Sequence, residues 1–405
     1  MKLARHFLVI TLFCFSTMYV AASDAPASGL VQLAKVKASN GTTEDRFGSD
    51  IAASGNTVVI GQWNRNTQIG SVYVFVKSKR GWSDMTETAQ IVPPEGTAFY
   101  GNVAIDGDTL IAGATVNGVE SVCVFVKPTT GWADATVNAV LTPSDSAGNG
   151  FGNSLAISGD TVVVGAVAFD SVGAAYVFVK PAGGWASETQ TAKLTDGVVG
   201  SGFGNAVAID ADTIVLGVPY KEIGFNFDGG ALDVFVKPAS GWTDNMTPTA
   251  QLTAPVSLLL GDGPNAISGD TIIAGDIGRV LIFVAPATGW RDTRKATASL
   301  TDGVLRDKDN FGATATINGN TIVVGAFEAT VGSHQQQGAA YIFQKPATGW
   351  KSTSSFSQML TASDGHIDDW FGTAVAIAGS AIVVGADDAT IDGNFDQGAA
   401  YIFGH

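Results

Sequence analysis

The chain has 405 residues, a formal net charge of −15, 50 glycines, and 45% hydrophobic against 15% charged residues. An acidic balance without a basic stripe excludes nucleic acid and anionic membrane surfaces as partners; it fits cations, basic protein patches or solubility outside the cell. Of the 2 cysteines one lies in the leader, so no disulfide framework is available and a repeated apolar core has to supply the stability.

Residues 1–23 read as a secretory signal. Lys2 and Arg5 precede an apolar run from Phe7 to Val20, and the small residues Ala21, Ala22 and Ser23 follow it, placing cleavage near Ala22 or Ser23. The run is too short for a comfortable span, and no other apolar stretch approaches about twenty residues, so no membrane span is expected. Cys14 follows Leu12 and Phe13 rather than the small residues of a lipoprotein signal. Residues 24–29 form a short linker, and residues 30–405 a single domain.

From Phe47 onward one pattern recurs seven times. Phe151-Gly152 leads into strands at 154–158, 161–165, 174–180 and 191–195. The same order starts at Phe47, Tyr100, Phe203, Phe311 and Phe371; a seventh copy lacks its Phe-Gly and keeps residues 263–275. The runs are β-branched and aromatic, are bounded by Gly, Pro, Asp and Asn, and carry no helical period. Ser54-Gly55, Asp106-Gly107, Ser158-Gly159, Ser268-Gly269 and Asn318-Gly319 join the first two strands, because glycine accepts the positive φ of a tight hairpin. A repeat of about fifty residues with this content specifies a propeller or solenoid.

The two ends decide between them. The last copy stops at residues 399–403, after its third strand, while residues 30–38, Leu-Val-Gln-Leu-Ala-Lys-Val-Lys-Ala, have the composition of a fourth strand. The expected fold is all-β: a seven-bladed β-propeller of four-stranded antiparallel blades, closed by the N-terminal strand completing the last blade.

Phe203-Gly204-Asn205-Ala206-Val207-Ala208-Ile209 followed by Ile214-Val215-Leu216-Gly217-Val218-Pro219 resembles the FG-GAP repeat of the integrin α-subunit propeller. Asp369-Trp370-Phe371-Gly372-Thr373-Ala374-Val375-Ala376 resembles the bacterial branch of that family more closely still. The resemblance covers residues 30–405 and implies the propeller fold and a binding or adhesion role. Family members often carry a calcium loop between the first two strands. Here a minimal hairpin such as Ser158-Gly159 stands in that place, so the integrin-type calcium loop is absent and no cofactor is required.

Variable loops on a repeated scaffold are where binding usually sits. Asp388, Asp392 and Asp396 in the last long loop are spaced to supply several of the oxygens of a weak calcium site, the alternative being a solvated acidic loop. Tyr220, Phe225 and Phe227 are aromatics outside the strand pattern, read as a ligand-facing patch or as self-packing of a long loop. Trp63, Arg65, His366, Asp368 and the loop from Asp388 to Asp396 come together on one rim once the last copy meets the first. Tryptophans 82, 132, 185, 242, 290 and 350, each after a glycine in a turn, read as packing anchors, with a ring of sugar-stacking sites as the alternative.

His334, His366 and His405 have no metal-ligand spacing, and no nucleophile elbow or phosphate loop is present. The functional expectation is a secreted or cell-surface, monomeric, non-catalytic module recognising a protein or glycan. An extracellular glycosidase or lyase with carboxylates assembled across blades, and a structural envelope protein without a discrete ligand, are the alternatives.

Overall fold

The computed structural model describes residues 29–91, 93, 95–134, 136–145, 150–168, 171–223, 229–255, 259–276, 278–303 and 309–405. The expected leader, and Phe225 and Phe227, lie outside the described residues, and so does the linker except for Gly29. Among the described residues there is no helix, and none therefore long and apolar enough to cross a membrane.

The strands pair as four-stranded units whose first three strands are consecutive antiparallel neighbours; the first two units are joined through the Gly70–Phe99 pair, and the short strand Glu188–Thr189 pairs in parallel with the last strand of the second. Unit 1 comprises Asp50–Ser54, Thr57–Trp63, Gly70–Val76 and Ala89–Ile91, and unit 2 Thr97–Asp106, Thr109–Val116, Val119–Val126 and Ala139–Thr142. Unit 3 comprises Ser154–Ser158, Thr161–Ala166, Ala174–Val179 and Ala192–Leu194, and unit 4 Val207–Asp210, Thr213–Val218, Ala231–Val236 and Ala250–Leu252. Unit 5 is Asn265–Ser268, Thr271–Asp276, Arg279–Val284 and Ala298–Leu300; unit 6 is Thr314–Asn318, Thr321–Ala326, Ala339–Gln344 and Gln358–Leu360. In unit 7 the strands Phe371–Ala378, Ala381–Ala386 and Ala399–Gly404 are completed by Val31–Val36, which runs antiparallel to Ala399–Gly404 with Val31 opposite Gly404 and Val36 opposite Ala400.

The apolar core lies between successive units, because each sheet is buried on both faces. Phe47 of the segment leading into unit 1 is fully buried, and its ring meets Tyr73 at 5.4 Å and Phe75 at 5.9 Å edge-on. The same cluster takes Val383 and Ile402 of unit 7 and Ala34 and Val36 of the N-terminal strand. First strands touch in sequence, each unit's against the next, and Phe371–Ala378 of unit 7 touches Asp50–Ser54 of unit 1, so the chain of contacts returns to its start.

Two glycines per unit set the spacing. The Val-Gly-Ala glycine of the second strand lies against the carbonyl of the Phe-Gly glycine of the following unit, as in Gly165 with Gly204 and Gly385 with Gly48. A Cβ at Gly165 or Gly385 would collide with that carbonyl oxygen, so neither position can carry a side chain without moving two sheets apart. The contact recurs between all successive units, including unit 7 to unit 1.

Two copies differ from the sequence expectation. In unit 2 the aromatic slot is filled by Phe99, fully buried and 6.1 Å from the Phe125 ring, and Tyr100 is an extra residue, with a register shift between Phe99 and Val103. In unit 5 the pair Leu260-Gly261 takes the place of Phe-Gly: Leu260 is fully buried and the Gly261 carbonyl faces Gly217. The slot demands an apolar filler followed by a residue with φ near +90°, and Gly261 has φ +96°.

The Gly-Trp turns bind neighbouring units. Trp82, Trp132, Trp242 and Trp350 are buried and belong to the inter-unit cores, the packing role rather than an exposed sugar-stacking ring. Two residues after each Trp, a short polar side chain accepts a backbone N–H from the fourth strand of the preceding unit. Asp84 caps Lys35 at 2.7 Å, Asp134 caps Gln90 at 3.1 Å and Ser187 caps Val140 at 3.0 Å. Asp244, Asp292 and Ser352 do the same for Lys193, Gln251 and Ser299. The fourth strands would otherwise present bare edges.

Candidate functional site

Tight hairpins and Gly-Trp turns lie at one end of the strands. The other end carries the connections between second and third strands and the segments leading into each unit. Charged and aromatic side chains cluster at this loop-bearing end in the seam between units 7 and 1. Residues 387–398 lie along the segment leading into unit 1: the N–H groups of Glu44, Arg46 and Phe47 donate to the carbonyls of Phe395, Asp396 and Gln397, each at 2.9 Å. This places Glu44 and Arg46 in the left-handed region, with φ +66° and +51°, and turns the Arg46 side chain across the seam.

Arg46 Nη2 lies 3.0 Å from Asp387 Oδ2 and 2.8 Å from Asp388 Oδ1, and its guanidinium sits 5.3 Å from the Trp370 ring centroid. Asp387 is almost fully buried and also accepts the Thr373 hydroxyl at 2.7 Å. Burial raises the Asp387 carboxyl, with Arg46 and the Thr373 bond acting against it. Asp388 is pushed up to about 6 by burial and then by Asp387, while Arg46 and Arg65 oppose. Stacking plus a two-carboxylate grip makes Arg46 a clasp between the last unit and the first.

The expected site residues divide around this clasp. Arg65 Nη1 reaches Asp396 at 3.5 Å and Glu44 at 3.7 Å, and its Nη2 reaches Asp388 at 3.8 Å, so Arg65, Asp388 and Asp396 do come together. Asp392 instead pairs with Lys37, which lowers its carboxyl, and it does not share Arg65 with the other two. Among the described residues no group of three or more His, Cys, Asp or Glu is placed to hold a metal ion. Trp63 ends the second strand of unit 1, half-buried, opposite Gly70. Tyr220 belongs to unit 4, where its N–H donates to Ser201 at 3.0 Å, and is not part of the seam.

His366 and Asp368 sit on the segment leading into unit 7. The His366 N–H donates to Asp369 Oδ2 at 2.6 Å, its ring is exposed, and it lies parallel to the His334 ring with 6.3 Å between centroids. Asp368, with φ +64°, donates its N–H to the Gln335 carbonyl at 3.1 Å. The seam of units 6 and 7 thus repeats that of units 7 and 1, with Trp370 in the place of Arg46. Alignment of the copies on Phe47 and Phe371 is the signal that singles out Arg46 and Trp370; charge spacing within one loop does not.

Two further features lie elsewhere. A cleft of about 350 Å³ between units 5 and 6 is lined by Asp262, Asp276, Asn310 and Phe311, with Arg279 Nε bound to Asp276 at 2.7 Å. Nearby, Asp309 is pushed up to about 7 by burial, then by a hydrogen bond to Asp302 and its charge. Carboxyls that share a hydrogen bond are closer than the roughly 5 Å or more that separates the acid and base of a glycosidase.

The FG-GAP repeat family model matches residues 30–75, 136–178, 290–343 and 355–403. Each match begins ahead of a fourth strand: residue 30 precedes Val31–Val36, and residues 136, 290 and 355 precede the fourth strands of units 2, 5 and 6. No curated protein matches the chain. A solved structure, the crystal structure of Chaetomium thermophilum Sqt1, is similar at 13% identity and a TM-score of 0.45, covering 89% of this chain and 84% of that one. The chain carries FG-GAP repeats at four positions along its length.

Proposed function

We propose that units 1 to 7 are the blades of one closed propeller over residues 30–405, and that its loop-bearing end binds a protein or glycan outside the cell without catalysis. The cyclic order of first-strand contacts and the Gly385–Gly48 approach support closure. The observation that carries the binding reading is a contrast at the two seams flanking unit 7. Arg46, Asp387 and Trp370 are locked together, while Arg65 and Phe395 stand exposed beside them and His366 and Asp368 stand exposed on the segment leading into unit 7. A rigid floor under adaptable polar and aromatic groups is the arrangement of a recognition site. Binding in this reading needs no cofactor, and the leader at residues 1–23 directs export.

The test is a thermal-shift series on residues 24–405 with calcium, with chelator and with simple sugars, followed by the same series on Arg65→Ala/His366→Ala. A ligand specific to the folded state raises the melting temperature by mass action. A sugar-dependent rise lost in the double variant assigns a glycan to the seam. A rise that the double variant retains moves the site away from the seam. A calcium-dependent rise abolished by Asp388→Ala and Asp396→Ala makes the last loop a metal site.

A further inference from the structure

Charge is distributed unevenly between the two ends of the strands. Every connection from third to fourth strand in units 1 to 6 carries at least one Lys or Arg, from Lys77 and Arg80 to Lys345 and Lys351. Hairpin carboxylates match many of them at the same end: Lys127 with Asp108 at 3.1 Å, Lys180 with Asp160, Lys237 with Asp212 at 3.6 Å, and Lys345 with Asp270 at 3.9 Å. At the loop-bearing end the cations among the described residues are Lys37, Arg46, Arg65, Lys221 and Arg279, and each is engaged by a carboxylate of the chain itself. Glu95, Glu222, Asp262 and Asp368 at that end are exposed and lack a cationic partner within 4.0 Å among the described residues. Among the described residues the uncompensated negative charge is therefore concentrated on one end.

The same end collects the exposed apolar side chains. Ile69, Val172, Val198, Val199, Ile367 and Phe395 lie on loop-bearing connections and Val119 opens the third strand of unit 2 at the same end, with Phe395 69% and Val199 64% exposed. Elsewhere among the described residues only Val31, Phe356 and Met359 are comparable. These positions lie on neighbouring units: they belong to units 7, 1, 2 and 3, the entry to unit 7 and the exit from unit 3, where Val172 bridges to Val199. Scattered apolar residues need no explanation, but a series confined to one end of four neighbouring units marks an interaction surface.

We infer that this arc docks a basic protein segment bearing apolar side chains; the inference rests on the loop-end binding proposed above. Charge selects the partner. A second copy of the chain would bring two acidic ends together, and a polyanion would be repelled, whereas a cationic segment gains from the uncompensated carboxylates and covers the apolar arc.

The test uses residues 24–405 and labelled peptides of about fifteen residues built from Lys and Leu, Lys and Ser, or Glu and Leu, read by fluorescence anisotropy at low and high salt. The Lys/Leu peptide is expected to bind at least about tenfold more tightly than the other two, and to weaken as salt screens the acidic end. Ile69→Ser/Val199→Ser/Phe395→Ser and Glu95→Lys/Glu222→Lys/Asp368→Asn should each weaken it about tenfold or more, with melting curves confirming that both variants fold. Lys79→Ser/Arg80→Ser, at the opposite end, should leave it unchanged. No binding of the Lys/Leu peptide, or binding indifferent to both triple variants, overturns the inference. If the Glu/Leu peptide binds instead and the apolar triple variant abolishes that binding, the basic partner is wrong and loop-end binding stands. If no probe, sugars included, responds to any loop-end variant, both fail.

Discussion

At the level of single residues, the buried carboxyls set the response to pH. Asp50 and Asp388 are pushed up to about 6 and Asp309 to about 7, each chiefly by burial. The folded state holds these protons more tightly than the unfolded chain does. Their contribution is therefore complete below the unfolded carboxylate range near 4 and is lost as pH rises through about 6 to 7. Asp145 and Asp364 behave oppositely: burial is outweighed by hydrogen bonds from Lys193 and Tyr176, and from Lys35 and Tyr401, so their contribution is lost on acidification below about 4. Melting temperature is expected to peak near about pH 4, and Asp388→Asn to flatten the decline above it; an unchanged decline in that variant assigns the pH response to other groups. The glycine contact is equally specific. Gly385→Ala meets the Gly48 carbonyl and should cost about 3 kcal/mol in urea denaturation. Gly55→Asn, where a Cβ meets nothing and φ is +58°, should be nearly silent. Equal losses would remove the special status of the inter-unit glycine.

Among the elements, the Gly-Trp turn does more than fill space. Its Trp enters the core between units, and the polar residue two positions later caps the outer strand of the unit before it. Asp244→Ala should cost about 1 kcal/mol by freeing the Lys193 N–H, and Asp244→Ser should restore most of it, since Ser187 and Ser352 fill this role elsewhere. Chemical denaturation of the three proteins decides, and equal destabilisation by Ala and Ser would rule out a capping role. The outer strand of unit 6 is linked to unit 7 by a different contact. There Leu30 exchanges two hydrogen bonds with Gln358, its N–H donating at 2.8 Å and its carbonyl accepting at 2.7 Å.

For the molecule as a whole, the N-terminal strand carries the heaviest single burden. Removing residues 29–37 would strip Ala399–Gly404 of its outer partner, leaving only Ala381–Ala386 beside it, and break the Leu30–Gln358 link to unit 6. The exposed third strand is then a template for pairing between molecules. The truncated protein is expected to melt well below the full chain and to run as dimers or larger species in size exclusion with light scattering. An unaltered, monomeric truncation would refute closure by this strand. In the closed ring proposed above, the clasp of Arg46 falls where residues more than 300 positions apart meet, and that seam is held by charge and stacking as well as by the sheet.

The amino-acid order by itself determined the strands, their grouping and the pairing of the two ends, because β-branched runs, Gly-containing hairpins and a truncated last copy are local signals repeated many times. It also placed Arg65, Asp388 and Asp396 together, since loops at one end of adjacent units have few other places to go. Only the tertiary structure decided that Phe99 rather than Tyr100 and Leu260-Gly261 rather than an empty slot complete the repeat, because a slot is defined by its neighbours' shape and not by its own letters. It alone separated Asp392 from its expected companions and brought Arg46 onto Trp370. Ion pairing and stacking across the seam depend on side-chain direction from two distant segments, and no spacing within either segment records that direction.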